Sequence, residues 1–367
     1  MRLDWQLTVS NPQHTIPCPA MSTLDPKPDD LSPQRNLPPV QPPTARFIVQ
    51  LFVIPALVVL VIVLVWLLFN WLAHMGGNPA SYVAAMKANR ANSWQQAYNL
   101  AEELQRNETA RNDPELAKEV AAFLDGLLAQ PLPPVKDPVR HERDPRSEEV
   151  QRRGFLCQAL GQFRTPQQTL PVLLKAAAPH KDEDELRIRV AALQALALLA
   201  ENMRATHPID DPRVTQSLIL ASQDEAPVVA DAGTFGLGVL GGPEAVKRLQ
   251  QILREARPAD VHYNAALALA RHGDAAGLDL LLEMIDPATK RSLTEESEKA
   301  RAAKQARLQL NGLRAAHQLA AANPQANLAS LIPVVQKVQS SNAPEVVKSE
   351  AGVVLRELQA RTTEKQP

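Results

Sequence analysis

The feature that most constrains this chain is a spacing that recurs along it. Each copy has an aliphatic residue (alanine in the fourth copy), a small residue four positions later and a leucine after four more. Five segments share this pattern: residues 188–196, 229–237, 261–269, 302–310 and 347–355. Positions i, i+4 and i+8 lie on one face of a helix, and the small residue lets a neighbouring helix come close.

The small residues of the five copies are Ala192, Gly233, Ala265, Ala306 and Ala351, and a weaker sixth copy at 153–161 has a leucine at this site. The intervals leave room for a second helix after each copy. The spacing therefore predicts stacked helix pairs and an all-α chain.

Prolines mark where the helices of each pair begin. Proline suits the first turn of a helix, where its missing N–H has no partner to lose. Prolines that follow a capping residue predict second helices at Pro166, Pro212 and Pro243, and Asn323-Pro324 is a similar break. First helices are predicted to open at Pro227, Pro258 and Pro344.

The paired segments resemble HEAT repeats of the short bacterial kind found in phycobilisome-lyase-like proteins. One copy matches the family pattern at Val261, Ala265, Ala266, Leu269 and Gly273. Arg189 follows Ile188 as the family's arginine does, whereas Ala230 and His262 replace it elsewhere. The resemblance implies a HEAT-like α-solenoid over residues 147–362, whose second helices line a concave groove for an unknown protein partner.

A long apolar run precedes the array. From Leu51 to Phe69 the chain has nineteen residues without a charged or polar side chain, which is enough to cross the hydrocarbon core as a helix. We therefore predict a transmembrane helix at 46–73, with residues 47–72 in contact with the lipid bilayer. A cleaved signal peptide is the alternative, but the run is too long and starts too late.

The remaining segments complete the predicted layout. Residues 1–45 hold ten prolines and predict a disordered tail, in which Met21 is an alternative start. Residues 80–130 predict a first helical pair, and 131–146 a proline-rich linker before the array at 147–362. This layout resembles bacterial membrane proteins that carry one span and a HEAT array.

Charge near the span sets the expected orientation. Arg35 and Arg46 precede the apolar run, and Lys87 and Arg90 follow it at a greater distance. This bias favours a cytoplasmic N-terminus and a repeat domain outside the cytoplasmic (inner) membrane. The chain's formal net charge of −1 provides no basic footprint for nucleic acid.

One glycine pattern has two interpretations. Gly236, Gly238 and Gly241 fit G-x-G-x-x-G, the fingerprint of a dinucleotide-binding turn, and Asp260 follows at a suitable distance. The same glycines align with Ala268, Ala270 and Gly273 of the next copy. Small residues at these sites favour close helix packing that ends in a glycine cap.

No other pattern predicts catalytic, cofactor-binding or metal-binding residues. His262 and His272 stand near opposite ends of one predicted helix, too far apart for one metal ion, and Cys157 lies in an apolar segment. The acidic run at 181–185 complements a helix start. The sequence predicts a membrane-anchored scaffold without catalytic chemistry, and the alternatives are a chromophore- or cofactor-handling lyase-like protein or a structural envelope component.

Overall fold

The structure, a computed structural model, describes residues 46, 49–74, 78–88, 92–134, 144–179, 182–294 and 297–364. In these ranges the chain forms helices and turns without a strand. It divides into two compact units, Met1–His74 and Met75–Pro367. The prediction of an all-α chain is confirmed for the described residues. The predicted disordered tail at 1–45 lies outside them.

The first unit contains the apolar run. A π-helical turn over Val49–Val53 leads into helix α1 (Ile54–His74). Pro55 lies just after this π-helical turn, at the second residue of α1. The large apolar side chains from Val49 to Phe69 are all at least 43% exposed. Together these 21 residues are long and apolar enough to cross a membrane.

The second unit is a run of helices whose bounds are as follows: α2 (Pro79–Ala88), α3 (Ser93–Arg106), α4 (Glu108–Arg111), α5 (Pro114–Leu128), α6 (Pro145–Gln162), α7 (Pro166–Ala176), α8 (Glu183–Met203), α9 (Pro212–Ser222), α10 (Pro227–Leu240), α11 (Pro243–Ile252), α12 (Ala259–Arg271), α13 (Leu278–Ile285), α14 (Glu298–Ala322), α15 (Leu331–Ser340) and α16 (Glu345–Glu364). A 3₁₀ turn, Ala275–Gly277, precedes α13.

Prolines open the helices where the sequence predicts them. α7, α9, α10 and α11 begin at Pro166, Pro212, Pro227 and Pro243. The Asp211 carboxylate accepts a hydrogen bond from the Arg213 N–H at the start of α9. α12 and α16 begin one residue after Pro258 and Pro344.

The helices of the second unit form two layers. The first-helix layer is the stack α3, α6, α8, α10, α12, α14 and α16, in which each helix packs on the next. In the second layer α5 packs on α7, and α7, α9 and α11 follow in turn, as do α13 and α15. Each repeat thus buries its apolar face against its neighbours, as in an α-solenoid.

The region predicted as one helical pair at 80–130 contains three helices and the single turn α4. α3 packs against α6, and α5 packs against α7, so these two helices form the first layered pair of the stack. α2 is an additional helix that covers α3, with Val83 and Met86 buried. The sequence spacing did not reveal α2, because it is too short to show a repeat period.

Two apolar clusters form the core and meet in α12. The first extends from Val83 to Leu269 and the second from Tyr263 to Leu358. α12 contributes Val261, Ala265 and Leu269 to the first, and Tyr263, Ala266 and Ala270 to the second. Opposite sides of one helix therefore continue the core from one repeat to the next.

The predicted packing register is confirmed in α8, α10 and α12, where all three residues of each copy are buried. It is wrong in α14. There Ala302 is exposed and Ala306 is only half-buried, whereas Gly312 is the small residue that faces the preceding helix. A Cβ on Gly312 would lie 2.9 Å from Ile285 Cγ1. The first turns of this long helix show helical periodicity but lie largely outside the core.

The predicted linker at 131–146 overlaps the start of α6. Arg146, in the first turn of α6, is buried and donates to Asp184 at 2.6 Å and to Asp182 at 2.5 Å. It also donates to the Pro133 carbonyl at 2.9 Å. The end of the predicted linker is therefore fixed to α8, while residues 135–143 lie outside the described ranges.

Candidate interaction surface

The glycines of α10 bring three helices together. A Cβ on Gly233 would lie 2.5 Å from the Ser222 backbone N, and one on Gly236 would lie 2.5 Å from Leu218 Cδ2, both on α9. On the other side, a Cβ on Gly238 would lie 2.5 Å from Ala268 Cβ of α12. At Gly233 and Gly238 only glycine allows these approaches, because the facing atoms are backbone or a Cβ; at Gly236 the facing Leu218 side chain can move. A dinucleotide fingerprint needs a strand before the glycines, and here a helix precedes them.

Gly241 ends α10 in a conformation that favours glycine. Its φ is +73°, and its N–H donates to the Leu237 carbonyl. A Cβ at this position would lie 2.7 Å from Cε1 of His272. The Nε2 of that ring lies 2.9 Å from the Gly238 carbonyl oxygen. His272 therefore joins the ends of α10 and α12.

The close approach of these helices leaves a depression on the outer face of the first-helix layer. We call it the Phe235 pocket, and its volume is about 280 Å³. Its small lining residues are Gly238 of α10, Ala268 of α12 and Ala315 of α14. The full lining is Phe235, Gly238, Val239, Asn264, Leu267, Ala268, Arg271, Asn311, Arg314, Ala315 and Gln318.

Phe235 is the most unusual member of this lining. It is 50% exposed. Leu267 occupies the equivalent position in α12 and is half-buried, and Gln194 occupies it in α8. An exposed ring beside a concave site is a common feature of binding surfaces.

The charges that line the Phe235 pocket are positive. Arg271 donates to Glu201 at 2.7 Å, so its charge is already paired, although Glu201 itself is not part of the lining. Arg314 is exposed and has no ion-pair partner among the described residues. The amides of Asn311 and Gln318 add uncharged donors and acceptors. The pocket thus combines an aromatic wall with two guanidinium groups.

One acidic side chain lies close to this pocket. Asp231 on α10 accepts a hydrogen bond from the Asn264 amide at 2.5 Å. Burial raises the pKa of Asp231, with a further raising effect from the Asp260 charge, while the Asn264 bond acts in the opposite direction. The Asp231 carboxylate therefore bonds a residue of the lining without belonging to the lining itself.

A second groove lies between α6 and α8 on the same outer face. We call it the Phe155 groove; its volume is about 400 Å³. Its aromatic ring already has partners, since Tyr98 lies edge-on at 5.3 Å and Trp94 is stacked at 6.4 Å between ring centroids. Gln151, Gln158, Gln194, Arg187 and Leu198 contribute to the lining.

The second layer also carries an open cleft. It lies between α7 and α9, has a volume of about 700 Å³, and is lined by residues that include Leu174, Pro212 and Leu220. The sequence predicts a groove lined by the second helices. The structure has depressions on both layers, and the most exposed aromatic ring in them is Phe235 of the first-helix layer.

The residues considered for other chemistry have structural roles. Cys157 is fully buried, and burial raises the pKa of its thiol to about 12. Asp182 and Asp184, from the acidic run, both accept hydrogen bonds from Arg146. Within the described ranges, no group of three His, Cys, Asp or Glu side chains is arranged to hold a metal ion.

His262 is bonded on both ring nitrogens. Nε2 lies 2.9 Å from the Glu255 carbonyl oxygen, and Arg291 donates to Nδ1 at 3.1 Å. Because Arg291 has only donors, Nδ1 accepts and Nε2 carries the proton. Arg291 also pairs with Glu283, which accepts from the hydroxyl of Tyr263 at 2.8 Å. This network joins α12 to α13.

The sequence did not single out Phe235, Arg271 and Arg314. The available signal was weak: an aromatic residue at a repeat position that carries glutamine in α8 and leucine in α12. Recognising the arginines requires the stacking of α12 on α14, which brings residues forty-odd positions apart to one site.

Comparison with known proteins agrees with the repeat architecture. A family model for HEAT repeats matches residues 214–300, which extend from α9 to the start of α14. No curated protein matches the sequence of this chain.

Among solved structures, the chain is similar to human deoxyhypusine hydroxylase in complex with glycerol. The identity is 15%, the match covers 74% of this chain and 91% of that chain, and the TM-score is 0.28. Similarity at this level says nothing about the chemistry of this chain. Because the family model matches residues 214–300, this part of the helical stack is a HEAT-repeat segment.

Proposed function

We propose that this chain is a membrane-tethered scaffold that holds a partner protein against its helical array. The observation that carries the proposal is the combination of HEAT repeats over 214–300 with open depressions on the sides of the stack. Helical repeats of this kind present extended surfaces rather than a single deep cavity. A surface of this shape suits a macromolecular partner.

The tether is the apolar helix over Val49–Phe69. Its large apolar side chains are at least 43% exposed, and lipid tails would remove this surface from water. Mass spectrometry of the mature chain from its native host separates an anchor from a signal sequence. An intact chain that resists alkaline extraction from membranes supports the tether, and a chain cleaved after this helix contradicts it.

The proposed orientation places the N-terminus in the cytoplasm and the array outside, because Arg35 and Arg46 precede the helix. Protease added to intact cells tests this arrangement. Degradation of the array while an N-terminal tag survives supports it, and full protection of the array contradicts it.

Site-specific photocrosslinking in native membranes tests the scaffold itself. Exposed glutamines on both layers can carry the crosslinker: Gln194→p-benzoylphenylalanine on α8 and Gln216→p-benzoylphenylalanine on α9. A discrete crosslinked protein at either site, identified by mass spectrometry, supports the proposal. Only diffuse or self-crosslinked products at both sites would contradict it.

A further inference from the structure

We propose that the Phe235 pocket binds an extended segment of the partner in which an apolar side chain lies next to a carboxylate. This inference rests on the proposed function, because it names the part of a partner that the array would hold. It follows from the shape, the exposed ring and the charges of the pocket.

The shape of the pocket fits a side chain rather than a whole helix. Its volume of about 280 Å³ is at the lower limit of ligand-binding pockets. Three of its lining residues, Gly238, Ala268 and Ala315, are small and do not obstruct a chain that crosses the pocket. An extended chain can lie across the three helices and insert one large apolar side chain.

The apolar walls of the pocket are left partly uncovered by the described residues. Phe235 is 50% exposed, and the half-buried Leu267 lines the same depression. Removing exposed apolar surface from water is favourable. An aliphatic or aromatic side chain of the partner would therefore be stabilised between these residues.

The charges select a carboxylate beside that side chain. Arg314 is exposed and without an ion-pair partner among the described residues, whereas Arg271 is already paired with Glu201. Glu201 and Asp231 lie outside the lining and bond its members Arg271 and Asn264, so the unpaired charge in the lining is that of Arg314. A guanidinium group binds a carboxylate through two parallel hydrogen bonds. Asn311 and Gln318 can bond the peptide backbone next to it.

The occupant is a segment of another protein rather than the tail of this chain. In the proposed topology residues 1–45 lie across the membrane from the array and cannot reach the pocket. A second copy of the chain remains a distinguishable outcome, because self-association depends on the concentration of the chain alone.

Selection from a random dodecapeptide display library against the full chain in detergent micelles tests this inference. We expect selected peptides to carry aspartate or glutamate beside a large apolar residue. By fluorescence anisotropy, Phe235→Ala and Arg314→Gln should each weaken the best peptide about tenfold. Raising the salt concentration should weaken it as well.

Matched controls lie on the same two helices. Val228 is exposed on α10 and Arg307 is exposed on α14, and neither lines the pocket. Val228→Ala and Arg307→Gln should leave the affinity within about twofold. Circular dichroism of all four variants should show unchanged helicity, because each altered side chain is at the surface.

Several results would overturn the inference: selected peptides without acidic residues, no selected peptide, or binding that Phe235→Ala leaves unchanged. A dimer in sedimentation that Phe235→Ala abolishes would also overturn it, since the pocket would then be a self-interface. If crosslinking in membranes still captures a partner in any of these cases, the scaffold stands and only the pocket assignment fails. If peptides bind as expected but crosslinking captures none, the scaffold fails instead.

Discussion

The guanidinium of Arg189 donates to the Asp224 carboxylate at 2.5 Å. Its Nε also donates to the Ala177 carbonyl at 3.0 Å, and the arginine is only 2% exposed. One buried side chain on α8 thus bonds the end of α7 and the loop that follows α9. The repeats are joined by this charged contact as well as by their apolar faces.

Removing this buried cation should destabilise the array. Arg189→Gln leaves the Asp224 carboxylate without its main partner in a largely buried site, and we expect a loss of about 3 kcal/mol. Arg213→Gln is the matched control, because the Arg213 guanidinium is exposed and an exposed ion pair contributes little to stability. Denaturant unfolding of the full chain in detergent measures both. Equal losses of unfolding free energy in the two variants would contradict a special contribution from the buried pair.

Stability should fall in acid. Burial acts to raise the pKa of Asp224, but the bonds from Arg189 and the Ala226 N–H, together with the charges of Arg189 and Arg257, outweigh it and the pKa is lowered. The bond from Arg248 lowers the pKa of Glu255. Carboxyls of the unfolded chain bind protons at about pH 4. The folded carboxyls of Asp224 and Glu255 bind protons only at a lower pH. The unfolded state therefore takes up more protons, and stability is lost as pH falls below about 4.5.

Melting temperature between pH 7 and pH 3 measures this loss. Arg189→Gln should show a smaller decrease, because its Asp224 no longer has the lowered pKa. Burial raises the pKa of Asp231. Its protonation as the pH falls therefore stabilises the folded state and acts in the opposite direction. A melting temperature that rises steadily into acid would contradict the expected balance.

Gly233 of α10 should tolerate no side chain. A Cβ on Gly233 would meet the backbone of Ser222 at 2.5 Å and of Ala221 at 2.8 Å. Gly233→Ala should therefore cost about 2 kcal/mol through overpacking. Gly126 on α5 is the control, because a Cβ there has nothing within 4 Å. Gly126→Ala should stabilise the chain by about 0.5–1 kcal/mol. The prediction fails if both variants melt together.

Charges in the apolar helix should release the chain from membranes. Val61→Arg with Leu64→Arg adds two cations to the middle of α1, each at a cost of about 3 kcal/mol in the bilayer centre. We expect the double variant to move to the soluble fraction after cell lysis. Leu220→Arg, at an exposed position of α9, should remain in membranes. Retention of the double variant would argue against the tether.

The helices could be predicted because their signals are local. Proline lacks an N–H whatever its surroundings, so Pro212, Pro227 and Pro243 mark helix starts in any context. A small residue in each repeat predicts close helix packing in α8, α10 and α12, because this signal is also local to one helix. The rule is wrong in α14, because Ala302 and Ala306 share the helical period but lie outside the main contact with α13.

The sequence by itself determined the all-α class, the repeat, the apolar run and the packing role of glycines such as Gly233. These depend on backbone chemistry and periodicity within one helix. The tertiary structure alone decided that Arg189 meets Asp224 and that Phe235 stays uncovered between α10, α12 and α14. Such contacts join residues far apart in the chain, and they follow from how the repeats stack rather than from any local spacing.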